Sequence, residues 1–286
     1  MKTSLLRSLW RLHLITPRGI VRLLNCFLHE GITMMAAVRF AARYHAHDYA
    51  VVSDNQHVDY QDFYALAQRL SHLLYHKYHL KSGQHVALFC RNHLVSALLL
   101  PALSRLGVHV RLLNTDLSSE QLAKLMSRPF ALFIYDEELI QADGLDDMCP
   151  MVSCEALLES IKRQDAIEKV ALPYIKRGGN ISVMTGGSSG NYKEAARQTG
   201  IVQFLPPFFS LLRDLHIDSY QSVLIGLPFY HGFGLATLII SLVMGKKICL
   251  LRHFDAEKVL NVVAEERVEV AILARCKLRL PGSRHS

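Results

Sequence analysis

From residue 50 to residue 273, short apolar runs alternate with segments whose apolar residues recur at helical spacing. The pattern predicts strands at 51–52, 58–60, 85–89, 108–112, 131–135, 181–184, 223–227, 247–251 and 268–273. It predicts helices at 62–79, 93–106, from 118 onward, 232–244 and 255–266. Apolar strands that alternate with helices indicate an α/β fold, with a largely parallel sheet covered by helices on both faces. Parallel sheets bind ligands at the carboxyl ends of their strands, which directs attention to the loops after Met184 and Leu227.

The first 45 residues form a predicted basic, helical N-terminal arm. Leu5, Leu9 and Leu12 share one helical face, and the segment 17–19 (Pro-Arg-Gly) interrupts the helix. The favoured interpretation is an amphipathic helix packed on the domain. The alternative is a helix that lies on a membrane surface and gives the protein a peripheral membrane contact.

Composition and charge exclude several classes of protein. The chain has 286 residues, of which 50% are apolar and 20% charged, so it can build a core and is not intrinsically disordered. The net charge is +7, but residues 1–50 contribute +5 and residues 275–286 contribute +4, so the rest sums to −2. Because the basic character is terminal, we expect no nucleic-acid partner. Scattered cysteines and the lack of a secretory signal pattern indicate a cytoplasmic protein.

A glycine- and hydroxyl-rich segment follows the predicted strand 181–184. It contains, in order, Thr185, Gly186, Gly187, Ser188, Ser189, Gly190 and Lys193. Glycines allow a tight turn whose N–H groups form an anion-binding nest, hydroxyls add donors, and the lysine adds a positive charge. This chemistry is suited to holding phosphate. The spacing of Gly190 and Lys193 does not fit a Walker A loop, and the alternative is an ordinary flexible loop.

Two motifs resemble those of the AMP-binding, adenylate-forming enzymes, which include the acyl-CoA synthetases. Segment 185–193 is similar to the family's Thr-Ser/Gly-Gly-Ser/Thr-Thr/Ser-Gly-x-Pro-Lys loop, with Tyr192 in place of the proline. Segment 227–234 (Leu-Pro-Phe-Tyr-His-Gly-Phe-Gly) resembles the family's Pro-Leu-Phe/Tyr-His-x-x-Gly motif. Segment 58–63 weakly resembles an early family motif, and the resemblance extends over roughly residues 35–272.

The resemblance implies an ATP-dependent acid–thiol ligase that adenylates a fatty or other hydrophobic carboxylic acid and then forms a thioester. It implies ATP, Mg²⁺ and coenzyme A as cofactors and a small-molecule carboxylic acid as partner. It assigns phosphate binding to residues 185–190 and Lys193, with Thr185 also beside the metal. It assigns catalytic roles to Lys193 and His231. His231 also lines the acid, together with Phe229 and Phe233.

The same resemblance implies that the family's domain is incomplete in this chain. The family's later Tyr-Gly-x-Thr/Ser-Glu motif, Gly-Asp motif and adenylation lysine have no counterpart here. We therefore expect a truncated AMP-binding-like domain over 46–273, followed by an irregular basic tail over 274–286. We also expect the isolated chain to be inactive or impaired, so whether it is an enzyme on its own stays open.

Three competing interpretations remain. The first is a non-catalytic remnant or interaction module with the same fold. The second is a nicotinamide-dependent oxidoreductase, because segment 232–237 (Gly-Phe-Gly-Leu-Ala-Thr) approaches the dinucleotide fingerprint, with Asp255 downstream. Thr237 stands where that fingerprint needs a small residue, and Asp255 fits a helix N-cap. The third is a metal site on His72, His76 and His79. No glutamate follows His72, so the metalloprotease pattern fails and the favoured interpretation of this spacing is a solvated helix face.

Overall fold

The structure is a computed structural model that describes residues 2–54, 56–126, 129–140, 149–163, 171–183, 210 and 217–273. Its helices are α1 (Lys2–Arg11), α2 (Pro17–Glu30), α3 (Met34–Ala42), α4 (Tyr60–His76), α5 (Leu94–Arg105), α6 (Ser119–Met126), α7 (Cys154–Lys162), α8 (Gly232–Val243) and α9 (Ala256–Glu265). Its strands are β1 (Tyr49–Ser53), β2 (Gln56–Asp59), β3 (His85–Phe89), β4 (His109–Leu112), β5 (Leu132–Tyr135), β6 (Met151–Ser153), β7 (Ile181–Val183), β8 (Ser222–Ile225), β9 (Lys247–Leu250) and β10 (Val270–Ile272).

The described strands form two five-stranded sheets. One has the order β6-β5-β3-β4-β7 and is parallel throughout. The other has the order β10-β8-β9-β1-β2 and is parallel except for the β1–β2 hairpin. The predicted α/β class with parallel strands and helices is confirmed. The strands divide between two sheets, which strand–helix alternation does not indicate, because it fixes strand direction but not which strands are neighbours.

Helix α5 lies at the centre of the core. All of its twelve residues are buried, and the helix contacts β1 of one sheet and β4 of the other. Helices α3 and α4 pack beside it, and one apolar cluster runs through residues of both sheets, such as Leu88 and Ile248. The two sheets therefore share one core, which fixes the edges of both sheets relative to each other.

Side-chain caps fix where two of the helices begin. A capping box precedes α6: Ser118 N donates to Gln121 Oε1 at 3.0 Å, and Gln121 N donates to Ser118 Oγ at 3.3 Å. Tyr60, predicted as the end of a strand, instead begins α4, because the Asp59 carboxylate accepts from Asp62 N and caps the helix there. A short 3₁₀ turn at Glu137–Leu139 follows β5.

The N-terminal arm consists of three helices in the structure. Pro17 occupies the first turn of α2, with Thr16 as its N-cap, so this segment starts a helix as well as interrupting one. Leu9 and Leu12 pack against Ile240 and Met244, which confirms the packed interpretation for that face of α1. Among the described helices, none is both long enough and apolar enough to cross a bilayer.

Candidate functional site

The carboxyl ends of β3 and β4 form the floor of the candidate site, and the loop after β8 crosses to them from the other sheet. Phe229 and Tyr230 of that loop share one small cavity with Leu88, Leu112 and Leu113. Burial raises the pKa of the Tyr230 hydroxyl above its usual value. This packing brings segment 227–231 to the strand ends at which ligand sites occur in such sheets.

Asn92, the third residue after β3, holds this loop in place. Its side-chain amide donates to the carbonyl of Leu227 at 2.7 Å and to that of Ile225 at 3.4 Å. Its side-chain oxygen accepts from the backbone N–H of Phe229 at 3.0 Å. Asn92 is 4% exposed, so these bonds are shielded from water. Sequence analysis did not single out Asn92; the available signal was a polar amide between an apolar strand and an apolar helix.

The predicted phosphate-binding segment starts at the same edge. Its preceding strand is confirmed as β7, which pairs with β4 in parallel and places Val183 opposite Leu112. Leu112 also lines the cavity below Phe229 and Tyr230. We call the loop over 226–231, between β8 and α8, the His231 loop. The end of β7 and the His231 loop therefore both flank the end of β4. The predicted phosphate ligands lie outside the described residues: Thr185, Gly186, Gly187, Ser188, Ser189, Gly190 and Lys193.

The structure places the three predicted acid-site residues in different environments. His231 is exposed at the N-cap position of α8, and its backbone carbonyl accepts from Leu235 N. Phe233 is 55% exposed in the first turn of the same helix. Phe229 is buried in the main apolar cluster. His231 and Phe233 are thus accessible to a ligand, whereas Phe229 anchors the loop after β8 in the apolar core.

The first turn of α8 needs glycine at position 234. A Cβ atom on Gly234 would lie 2.6 Å from the Pro228 carbonyl oxygen and 2.8 Å from that of Leu227, whereas one on Gly232 would meet nothing within 4 Å. Close approach of the helix to its own loop therefore explains the glycine at position 234. Asp255 caps α9 by accepting from Lys258 N at 2.8 Å, as expected for an N-cap. These observations remove the structural basis for the dinucleotide interpretation.

A buried polar cluster stands beside Asn92 at the ends of β3, β5 and β6. His93 Nε2 lies 2.7 Å from Asp136 Oδ1, and Arg91 N donates to Asp136 Oδ2 at 2.8 Å. His93 Nδ1 accepts from the N–H groups of Val95 and Ser96 at the start of α5, so the ring carries its proton on Nε2. Burial raises the pKa of Asp136, but the hydrogen bonds from His93 and Arg91 outweigh burial and lower it.

Cys90, Asp136 and Cys154 are the one group of three or more metal-ligating side chains whose ligand atoms converge within the described ranges. The two Sγ atoms lie 3.3 Å apart, and burial raises the pKa of both thiols, which disfavours the thiolates that bind metals. Both oxygens of Asp136 already accept hydrogen bonds. The cluster therefore links the ends of β3, β5 and β6 through hydrogen bonds.

The histidines of α4 do not form a three-ligand site in the part of the chain that the structure describes. The rings of His72 and His76 stack with their centroids 6.0 Å apart, and burial lowers the pKa of His72. His79 lies beyond the end of the helix in a left-handed conformation, with φ 53°. The spacing of the three residues does not bring them together.

Comparison with known families identifies the fold that carries this site. The profile of the AMP-binding enzyme family matches residues 38–274. The chain belongs to the AMP-binding enzyme family. The matched range includes both the segment after β7 and the His231 loop, and the comparisons give no support to an oxidoreductase.

Similar proteins include CoA ligases that act on different acids. A 2-succinylbenzoate–CoA ligase of Bacillus licheniformis is 29% identical over 230 residues, which cover 71% of this chain and 44% of that protein. The long-chain-fatty-acid–CoA ligase FadD13 of Mycobacterium tuberculosis is 26% identical over 233 residues, covering 77% of this chain and 45% of that protein. This AMP-binding family member thus spans less than half the length of either relative.

A solved structure supports the fold assignment. The O-succinylbenzoate coenzyme A synthetase MenE of Bacillus subtilis, determined in complex with ATP and magnesium ion, superposes with a TM-score of 0.69. The two chains are 20% identical, and the match covers 82% of this chain and 62% of that one. At this identity the likeness establishes the shared α/β fold.

Proposed function

We propose that this chain is the N-terminal part of an ATP-dependent acid–CoA ligase. Its sheet edge would bind Mg²⁺·ATP beside a hydrophobic carboxylic acid. The observation that carries the proposal is the convergence at β4: the end of β7, where the phosphate-type segment begins, and the His231 loop flank the same strand end. Membership in the AMP-binding enzyme family supports the same conclusion.

The phosphate side of the site is assigned to the segment after β7. The N–H groups and hydroxyls of residues 185–190, together with the Lys193 ammonium, supply the donors that the β- and γ-phosphates require. Thr185 would contact the magnesium ion, which neutralises phosphate charge when bound. The segment itself lies outside the described residues. The assignment of phosphate binding is therefore supported by the chemistry of its side chains and by the position of β7, the strand that precedes it.

The acid side of the site is assigned to the start of α8. The first turn of a twelve-residue helix carries unpaired N–H groups and the positive end of the helix dipole, which favour a carboxylate. His231 and Phe233 are exposed there and offer a polar and an apolar contact. A carboxylate oxygen held at this position would attack the α-phosphorus of ATP and release pyrophosphate. The thiol of coenzyme A would then displace AMP from the acyl group.

The proposed substrate class rests on the side chains exposed at the start of α8 and on the acids for which the two relatives are named. The two relatives are named for 2-succinylbenzoate, an aromatic dicarboxylate, and for long-chain fatty acids, so both names specify a carboxylic acid with an apolar part. The exposed Phe233 ring beside His231 suits an apolar acid. A fatty or other hydrophobic acid is therefore the proposed substrate, with coenzyme A as the proposed acceptor.

Calorimetric titration with Mg²⁺·ATP tests the proposal. Wild-type chain should bind, and Lys193→Ala should weaken binding by about tenfold or more because it removes a charged phosphate contact. Lys162→Ala, on the exposed end of α7, is the matched control and should leave the affinity unchanged. Absence of ATP binding by a folded wild-type chain would contradict the proposal and favour a non-catalytic remnant.

Acid-dependent exchange of pyrophosphate into ATP measures the first half-reaction. We expect little exchange from the 286-residue chain, because the ligase relatives that it matches are more than twice as long as the matched segment. Strong exchange that Lys193→Ala abolishes would show that the described sheets and the loop after β7 suffice for adenylation. Exchange that is equally strong in Lys193→Ala would contradict the assignment of the phosphate site.

A further inference from the structure

Helix α2 is apolar on two faces, and only one of them is covered by the domain. Leu23, Cys26 and Phe27 pack with Phe40 and other apolar residues on and just after α3. The outward face presents Ile20, Val21, Leu24 and Leu28, which are 45%, 67%, 57% and 73% exposed. Ile20, Leu24 and Leu28 recur every four residues and form a continuous apolar stripe along the helix.

Helix α1 adds a second exposed apolar pair. Leu6 and Trp10 stand one turn apart and are 56% and 58% exposed, while Leu9 on another face packs on the domain. Six of the eleven large apolar side chains exposed among the described residues thus lie within residues 6–28. We call the exposed apolar side chains of these two consecutive helices the α1–α2 surface: Leu6, Trp10, Ile20, Val21, Leu24 and Leu28. Such a concentration marks an interaction site.

Polar contacts hold both helices on the domain. The Glu30 carboxylate at the end of α2 accepts from Arg105 Nε at 2.8 Å, from Arg39 at 3.1 Å and from the Tyr64 hydroxyl at 2.6 Å. Arg11 at the end of α1 pairs with Asp218 at 2.8 Å. The exposed apolar side chains are therefore presented by anchored helices.

The charge around the α1–α2 surface identifies its partner. Residues 1–29 contain five Lys or Arg and no Asp or Glu. Arg7, Arg18 and Arg22 are exposed, whereas the two acids that pair with these helices or their neighbours, Glu30 and Asp218, are buried. Arginines beside exposed leucines and a tryptophan suit the headgroup region of an anionic bilayer. A second copy of the chain would bring like charges together, so self-association is disfavoured.

We propose that the α1–α2 surface docks the protein onto an anionic phospholipid membrane. The helices have ten and fourteen residues, so they lie in the interface and do not span the bilayer. Apolar burial holds the protein there, and the arginines select anionic lipid. The surface uses no residue of the proposed nucleotide and acid site, so this inference stands independently of the proposed function.

Vesicle co-sedimentation of the full chain tests the inference. The protein should sediment with phosphatidylcholine vesicles that contain phosphatidylglycerol, and much less with phosphatidylcholine alone or at high salt. The double variant Leu24→Glu/Leu28→Glu should weaken binding by about tenfold or more. Leu260→Glu, at an equally exposed leucine of α9, is the matched control and should bind like wild type.

Two results would overturn the inference. One is failure of the wild-type chain to sediment with phosphatidylglycerol vesicles; the other is equal sedimentation by the double variant. Size-exclusion chromatography with light scattering accompanies the assay, and a wild-type dimer that the double variant dissociates, without vesicle binding, would assign the surface to self-association. Far-UV circular dichroism checks the variants, which replace exposed side chains and should melt like wild type.

Discussion

Asn92 links two segments of chain that are far apart in sequence. Its amide group contacts three backbone groups between Ile225 and Phe229, all at the start of the His231 loop. Sequence reasoning could find the His231 motif because its residues are contiguous. It could not find Asn92, because the partners that give this residue its role lie more than 130 positions downstream.

Asn92→Ala should destabilise the protein by about 2–3 kcal/mol, because it leaves buried backbone groups of Leu227 and Phe229 without partners. Urea unfolding measures the change. Asn261→Ala, at an exposed position on α9, serves as control and should stay within about 0.5 kcal/mol of wild type. Equal stability of the two variants would contradict the role given to Asn92.

Asp136 makes the stability of the fold depend on pH in the acid range. Its pKa is lowered in the folded state, so the ionised carboxylate stabilises the fold above the unfolded-state pKa of about 3.9 and loses that effect as pH falls further. Asp136→Asn should cost about 1–3 kcal/mol near neutral pH, because the amide NH2 replaces one of the two carboxylate oxygens and leaves a buried N–H of His93 or Arg91 without an acceptor. The stability gap between wild type and variant should shrink from pH 7 to pH 3 in urea unfolding. A gap independent of pH would refute this account.

At the scale of elements, the turn into α8 requires a glycine at position 234 but not at position 232. Gly234→Ala should destabilise the chain by about 2 kcal/mol, because its Cβ would press on the carbonyls of Pro228 and Leu227. Gly232→Ala, two residues earlier, has open space and should stay within about 1 kcal/mol of wild type. Thermal unfolding of the two variants measures the difference, and similar melting of both would contradict the close-approach explanation.

The longer helices were predictable, whereas two elements between β5 and β7 were missed. Helices α4, α5 and α8 were predicted within three residues at each end, because their apolar residues fill several turns. The strand β6 and the helix α7 were not predicted. The place of β6 in the sheet comes from pairing with β5, which its three residues do not indicate by themselves.

At the scale of the whole molecule, the sequence predicted parallel strands but not their division into two sheets. That division depends on α5, whose twelve buried residues contact strands of both sheets. An all-apolar helix predicts burial, but it does not say which sheets will cover it. The convergence of the β7 end and the His231 loop on β4 is a product of this arrangement and was visible only in three dimensions.

We propose that the segment after β7 holds the phosphate chain of ATP beside the ends of β4 and β7. Phosphorus NMR of Mg²⁺·ATP during addition of the chain tests it directly. The account predicts that the β- and γ-phosphate resonances shift or broaden more than the α resonance, and that Lys193→Ala removes this difference. Resonances that stay unchanged in the presence of folded wild-type chain would contradict the account.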